Sequence, residues 1–260
     1  MVEYIKAIKA PFNDLKKLFA GIFIILGLLV VMYAGMFFLL FQGSVEMIVS
    51  QKITTPAYLI VVYYALIVLL SAIPFSFFMR YGINAAKHNL IILSWKKDVS
   101  GMFKEGVQMI GLYFIYYIPL FIVNYLIMGS LKLNSQDPQA ALALFQEKMP
   151  LILGILVPLS ILLGYLLPVV LLRFMETKKF TSGFDFNIIF RKAFSLIYLK
   201  AFLMSILISI GWTILFTIII FILAITVIGI LLFFLLFPAL FYILIVTTMG
   251  ILGQAYGEVK

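Results

Sequence analysis

Apolar residues run along this chain in long uninterrupted blocks, not in the short alternations of a soluble strand or the one-sided stripes of a soluble helix. A helix rising 1.5 Å per residue needs ~20 such residues to cross a hydrocarbon layer ~30 Å thick. Uncharged blocks of that kind fall at about 19–41, 57–79, 110–129 and 151–172. No charged residue lies between Lys200 and Glu258, and one straight helix of that length would reach roughly 80 Å. The chain must turn back once there. Thr226 and Gly229 are the local breakers, so the turn is expected over 224–229, with spans at about 198–222 and 230–254. The pattern predicts an all-α polytopic integral membrane bundle of about six transmembrane helices, forming a single membrane domain over 1–260.

The segments between blocks have a pattern of their own. In 1–18, Ile5, Ile8, Phe12, Leu15 and Leu18 recur every three or four residues with lysines between them, and Pro11 starts or kinks the second half. The segment 80–108 carries Ile83, Leu90, Leu93, Met102 and Phe103 among its charges; 173–195 carries Phe180, Phe184, Phe186, Ile189, Phe190 and Phe194. All three are expected to be amphipathic helices lying in the headgroup plane.

Composition agrees: 65% of residues are hydrophobic and 11% charged, too little polar surface to cover a water-soluble globule. The first block is too long for a signal-peptide core of ~7–15 residues and is read as a retained span. The net charge of +9 does not point to nucleic acid, because the basic residues cluster beside the apolar blocks, where they meet lipid phosphates. Of the 19 Lys and Arg, all but Lys52, Lys132 and Lys148 fall on one side of a six-span topology. Positive loops stay in the cytoplasm, so both termini are expected there, in the cell membrane. The residues expected at that surface are Lys16, Lys17, Arg80, Lys96, Lys97, Arg173, Lys178, Lys179, Arg191 and Lys192. Trp95 and the tyrosines near span ends are expected as headgroup anchors.

Chemistry is sparse. There is no cysteine and a single histidine, His88, in a charged loop, so neither a thiolate or paired-histidine zinc site nor a triad with a buried histidine can be built. Asp98 with Glu105, and Glu176 with Asp185, could serve as paired carboxylates, but each lies among basic residues, and Asp98 and Asp185 each precede a helical stretch that an acid could cap. No catalytic, metal or cofactor-binding residue is assigned. Asn124 is the one strong hydrogen-bonding amide deep in a span and the candidate polar intramembrane site, with Tyr63, Tyr64, Tyr116 and Tyr117 as helpers. Without a charged group at depth, an ion-coupled carrier of polar solutes is disfavoured. Ala201, Ser205 and Ser209 form a small-residue stripe suited to close helix packing.

Two short stretches also resemble each other, too briefly to establish a duplication. Phe78-Met79-Arg80 leads to Asp98, Phe103 and Gly106 before one span, and Leu172-Arg173 leads to Asp185, Phe190 and Ala193 before another.

The opening Ala10-Pro11-Phe12-Asn13-Asp14 with Lys16-Lys17 and Gly21, the run Trp95 to Gly106, Leu167-Pro168 with Arg173-Phe174, the run Phe180 to Phe186, and the ending Gly253-Gln254-Ala255-Tyr256 together resemble a prokaryotic multipass membrane family, domain of unknown function 4013. The resemblance implies a six-span all-α bundle with interfacial helices, and it carries no catalytic or binding residue to transfer. The expectation for function is a non-enzymatic membrane scaffold, accessory subunit or lipid-interacting protein, with membrane lipids and an unidentified membrane protein as partners. The alternative is a permease or flippase for a hydrophobic or amphiphilic substrate.

Overall fold

A computed structural model describes residues 2–50, 57–96, 98–129, 146–224 and 227–259. A short helix α1 (Tyr4–Lys9) runs into a 3₁₀ turn, Ala10–Phe12, begun by Pro11. Then come α2 (Leu15–Ser50), α3 (Ala57–Ala86), α4 (Val99–Gly129), α5 (Val157–Thr177), α6 (Phe186–Ala193), α7 (Leu196–Ala224) and α8 (Val227–Glu258). Among the described residues, six helices are long and apolar enough to cross a membrane. The chain is a multipass membrane protein. The turn expected over 224–229 falls between α7 and α8, with residues 225 and 226, and so Thr226, outside the described residues.

A π-helical turn, Ile152–Leu156, leads into α5, and the Val157 N–H bonds back five residues to the Ile152 carbonyl. Its cause is Pro158 at the start of α5, which has no N–H to give and crowds the carbonyl four residues earlier.

The segment 80–108 is not a separate interfacial helix. Residues 80–86 finish α3, residues 89–94 form no regular structure, and Val99 opens α4. Asp98, in the left-handed region at φ 58°, ends the loop, and its Oδ1 accepts the Gly101 N–H at 3.1 Å. That bond satisfies an orphan donor of the first turn, and the helix so started continues straight into the apolar block. The segment 173–195 is also divided: α5 continues to Thr177, a 3₁₀ helix covers Phe180–Phe184, and α6 follows. Trp95 is no outward anchor. It is buried and stacked on Phe77 at 3.5 Å between ring centroids, with Phe78 edge-on.

The bundle is organised around α3 and α8. Helix α8 touches α1, α2, α3, α5 and α7, and α3 touches α2, α4, α5 and α8. The α3–α8 contact is one of backbones: a Cβ added at Gly253 or Gly257 would collide with the carbonyl oxygens of Gly82 and Ala86 respectively. These residues form one small-x-x-x-small pair set against another. Helices α4 and α7 lie outermost, and Phe114, Ile118 and Phe121 on one, Leu207, Ile214 and Phe221 on the other, are exposed. Lipid is the solvent that suits such a surface. Ala201 and Ser205 of the predicted stripe are buried, and Ser209 lines a membrane-level groove with Thr248 of α8.

Candidate functional site

Among the described residues, the polar chemistry is concentrated at one end of the bundle, where the loop before α4, the loop 178–185 and both ends of the described chain meet. The Glu3 N–H donates to Gln254 Oε1 at 2.7 Å. Lys17 Nζ donates to the Ile92 carbonyl at 2.6 Å.

Two arginines organise this end. Arg80, near the end of α3, donates from Nε to Glu105 Oε2 at 2.7 Å and from Nη2 to Asp98 Oδ2 at 2.8 Å. Asp98 and Glu105 are seven residues apart, two helical turns, so both carboxylates reach the same side of α4. Ser76 Oγ donates to Glu105 Oε2 at 3.0 Å, and Lys178 Nζ, from beyond α5, to Glu105 Oε1 at 2.7 Å. Glu105 thus ties α3, α4 and the end of α5 together. The Arg80 guanidinium, and after it the Gly101 N–H, hold the Asp98 carboxyl below the ordinary carboxylate range.

Arg173, near the end of α5, repeats the theme. Its Nε and Nη2 reach Asp185 Oδ2 at 3.2 and 3.0 Å, and its Nη1 reaches Glu176 Oε2 at 3.0 Å. Glu176 Oε2 also accepts the Tyr256 hydroxyl at 2.6 Å, which joins α5 to α8. The capping expectation holds for Asp98 alone; the Asp185 side chain makes no cap bond and is taken by Arg173 instead. Each carboxylate pair singled out in the sequence is therefore bridged by one guanidinium.

Lys192, expected at the lipid surface, is buried in α6 at 8% exposure. Its Nζ donates to the carbonyls of Tyr256 at 2.9 Å and Val259 at 2.6 Å and lies 4.0 Å from the Tyr256 ring centre. A cation there satisfies one carbonyl of the last turn of α8 and one just beyond it, and faces the negative end of the helix dipole. Burial pulls its amine below the ordinary lysine value.

The ten basic residues thus separate into two sets. Lys17, Arg80, Arg173, Lys178 and Lys192 are tied into the fold. Lys16, Lys96, Lys179 and Arg191 are exposed and form no ion pair among the described residues; Lys97 lies outside them, as do Lys52 and Lys132. Asn124 is exposed on the outer side of α4, flanked by exposed Tyr125 and Leu126. Of its supposed helpers, Tyr116 donates to the Gly183 carbonyl at 2.6 Å, Tyr63 to the Met32 carbonyl, and Tyr117 stacks on Tyr113.

A cleft of ≈ 410 Å³ opens between the two hubs, with Arg80, Lys87, Asp98, Glu176 and Lys178 on its walls. Lys87 is exposed and enters no ion pair among the described residues.

Residues 92–225, more than half of the chain, match the family model described as "Protein of unknown function (DUF4013)". The chain belongs to this family. The family stretch runs from the loop before α4 to the end of α7 and its edge, so it contains Asp98, Glu105, Arg173, Glu176 and Asp185, while Arg80 and Tyr256 lie outside it. No curated protein matches the chain, and no solved structure does.

Proposed function

We propose that this member of the family is a non-enzymatic membrane protein that organises lipid, or a membrane partner, around its charged end. In this reading that end faces the cytoplasm of the cell membrane, in keeping with the positive-inside bias, and α1 and α6 rest in the headgroup layer. The observation that carries the reading is the division of the basic residues. Half of them are used to hold the fold, and Lys16, Lys96, Lys179 and Arg191 remain exposed around the same rim. On α6, Phe186 and Phe190 are exposed beside Arg191, with Phe194 just beyond, the mixture of aromatic and basic side chains that suits an acyl–headgroup boundary. The hub carboxylates are each engaged in holding the fold, by a guanidinium, an ammonium or a hydroxyl.

The test is the combined replacement of Lys16, Lys96, Lys179 and Arg191 by glutamate, with retained lipid classes read by native mass spectrometry. Retention of anionic lipid should fall. Unchanged retention would overturn the reading. Lys178 is left alone, because its loss would unsettle Glu105 and confuse fold with surface.

A second reading, transport of a hydrophobic molecule, is favoured by an apolar groove of ≈ 540 Å³ between α2 and α8, bounded by Leu26, Val30, Tyr33, Phe237 and Pro238. Single cysteines at Leu26 and Phe237 in this cysteine-free chain would test it. Labelling that a hydrophobic competitor blocks would support a pathway, and inert thiols would remove it.

A further inference from the structure

The cleft between the arginine hubs is matched to a ligand by what its walls leave unsatisfied. Arg80 is neutralised by Glu105 and Asp98, and Lys178 by Glu105. The cation left over is Lys87. On the acidic side, the single guanidinium of Arg173 is shared by Glu176 and Asp185, so one negative charge is left over; Glu176 spends Oε2 on Arg173 and Tyr256, and its side chain stays 45% exposed. Asn84 and Ser94 add neutral polar groups, while Ile83, Leu93, Met102 and Met175 give the cleft an apolar lining. Its volume lies within the range of small-ligand sites, ~300–1,000 Å³. A purely anionic ligand would meet Asp98 and Glu176, and a purely cationic one would meet Lys87 and the outer face of Arg80. Opposite charges on the walls of one cleft suit a ligand that carries both.

We propose that this cleft receives the headgroup of a zwitterionic phospholipid bearing a primary amine, with its phosphate toward Lys87 and its ammonium toward Glu176. The inference rests on the lipid-interacting reading above and narrows it to a headgroup class. Two features select a lipid over a soluble zwitterion. The cleft lies where α3 and α5 pass from apolar block to charged loop, and its lining is partly apolar. A primary ammonium can donate hydrogen bonds to a carboxylate, which a quaternary choline cannot, so ethanolamine-type headgroups are preferred over choline-type ones.

The experiment uses the full chain in nanodiscs of equal parts phosphatidylethanolamine, phosphatidylcholine and phosphatidylglycerol, with the lipids that survive gentle release counted by native mass spectrometry. Phosphatidylethanolamine should be enriched over phosphatidylcholine. Lys87→Ala, and Ser94→Trp, which fills the cleft from an exposed position, should each cut that enrichment about fivefold, the effect expected of one polar contact. Thermal unfolding like the parent protein would show that both variants are folded. Equal retention of the two zwitterionic lipids, or enrichment indifferent to both variants, overturns the proposal. Enrichment of phosphatidylglycerol alone, lost in the glutamate rim variant and untouched by Ser94→Trp, overturns the cleft and leaves the broader reading standing. No enrichment of any lipid overturns both. Release of bound phosphatidylethanolamine by millimolar glycerophosphoethanolamine is expected if the headgroup is what the cleft reads. Binding of that soluble compound without the lipid would replace the lipid by a free phosphoamine and so overturn the lipid assignment.

Discussion

Arg80 and Arg173 occupy equivalent places, each near the end of a span and each followed by an aspartate before the next helix, yet they are embedded differently. The side chains of Arg80 and Glu105 are both largely shielded, at 18% and 16% exposure, and Glu105 collects three donors. Arg173 is similarly shielded at 20%, but its partners Glu176 and Asp185 are open to solvent at 45% and 41%. A shielded, charge-assisted bond retains its strength, while a pair with one open partner is screened and contributes little. The same local arrangement therefore acts as a clamp in the first case and as a weaker guide in the second, where the grip on α8 comes from the neutral Tyr256 hydroxyl.

The largest expected effect follows directly. Arg80→Ala leaves a shielded carboxylate with Lys178 and Ser76 alone and should lower stability by about 2–3 kcal/mol, whereas Arg173→Ala should cost about 1 kcal/mol or less. Thermal unfolding in one detergent would compare them, and equal losses would erase the distinction. Next, a double-mutant cycle of Glu105→Gln with Lys178→Met should show coupling of about 1 kcal/mol, against none for Lys178→Met with Asp185→Asn.

Lys192 sharpens the contrast through pH. Its amine is depressed by burial, so the folded state pays to keep it charged, and that cost is relieved as pH rises through the depressed value. Measured against Lys192→Met, the parent protein should gain stability on going alkaline and stop gaining above about 10.4, the ordinary lysine value. A flat difference would show that the carbonyl cage tolerates the charge fully. The smallest effect concerns Asp98. Its depressed carboxyl contributes fully above about 3.9, the ordinary aspartate value, and the contribution is lost as pH falls through the lower folded value. Asp98→Asn should flatten that acid limb in unfolding scans below pH 4, and an unaltered limb would place the acid sensitivity elsewhere.

The six spans were legible because block length and missing charge are one-dimensional signals. The hubs were half legible. The Arg–Asp repeat marked Arg80 with Asp98 and Arg173 with Asp185, and the two-turn spacing of Asp98 and Glu105 was available to add Glu105. Lys192 could not be told from Arg191 by sequence, since adjacent cations point to different sides of α6 and only packing decides which is buried. Tyr256 and Gln254 gave no warning of their partners, because α8 is apolar on every side and shows no stripe to say which face meets α3. Asn124 misled for the converse reason: a polar residue in a span announces depth but not direction, and α4 lies at the edge of the bundle. In the stretch 80–108 the spacing of apolar residues did not show that the Asp98 cap joins its second half to a span.

The glycine contact between α3 and α8 also bears on assembly. Helix α8 leaves the ribosome after the seven helices before it, yet it occupies the place where five of them meet. Until it arrives, the seat offered by Gly82 and Ala86 must be filled by lipid or by an insertion factor, and Lys192 has no helix end to hold. The contacts that α8 makes with α1, α2, α3, α5 and α7 can therefore form only after those helices have been made, and damage to α8 would remove the element that joins them.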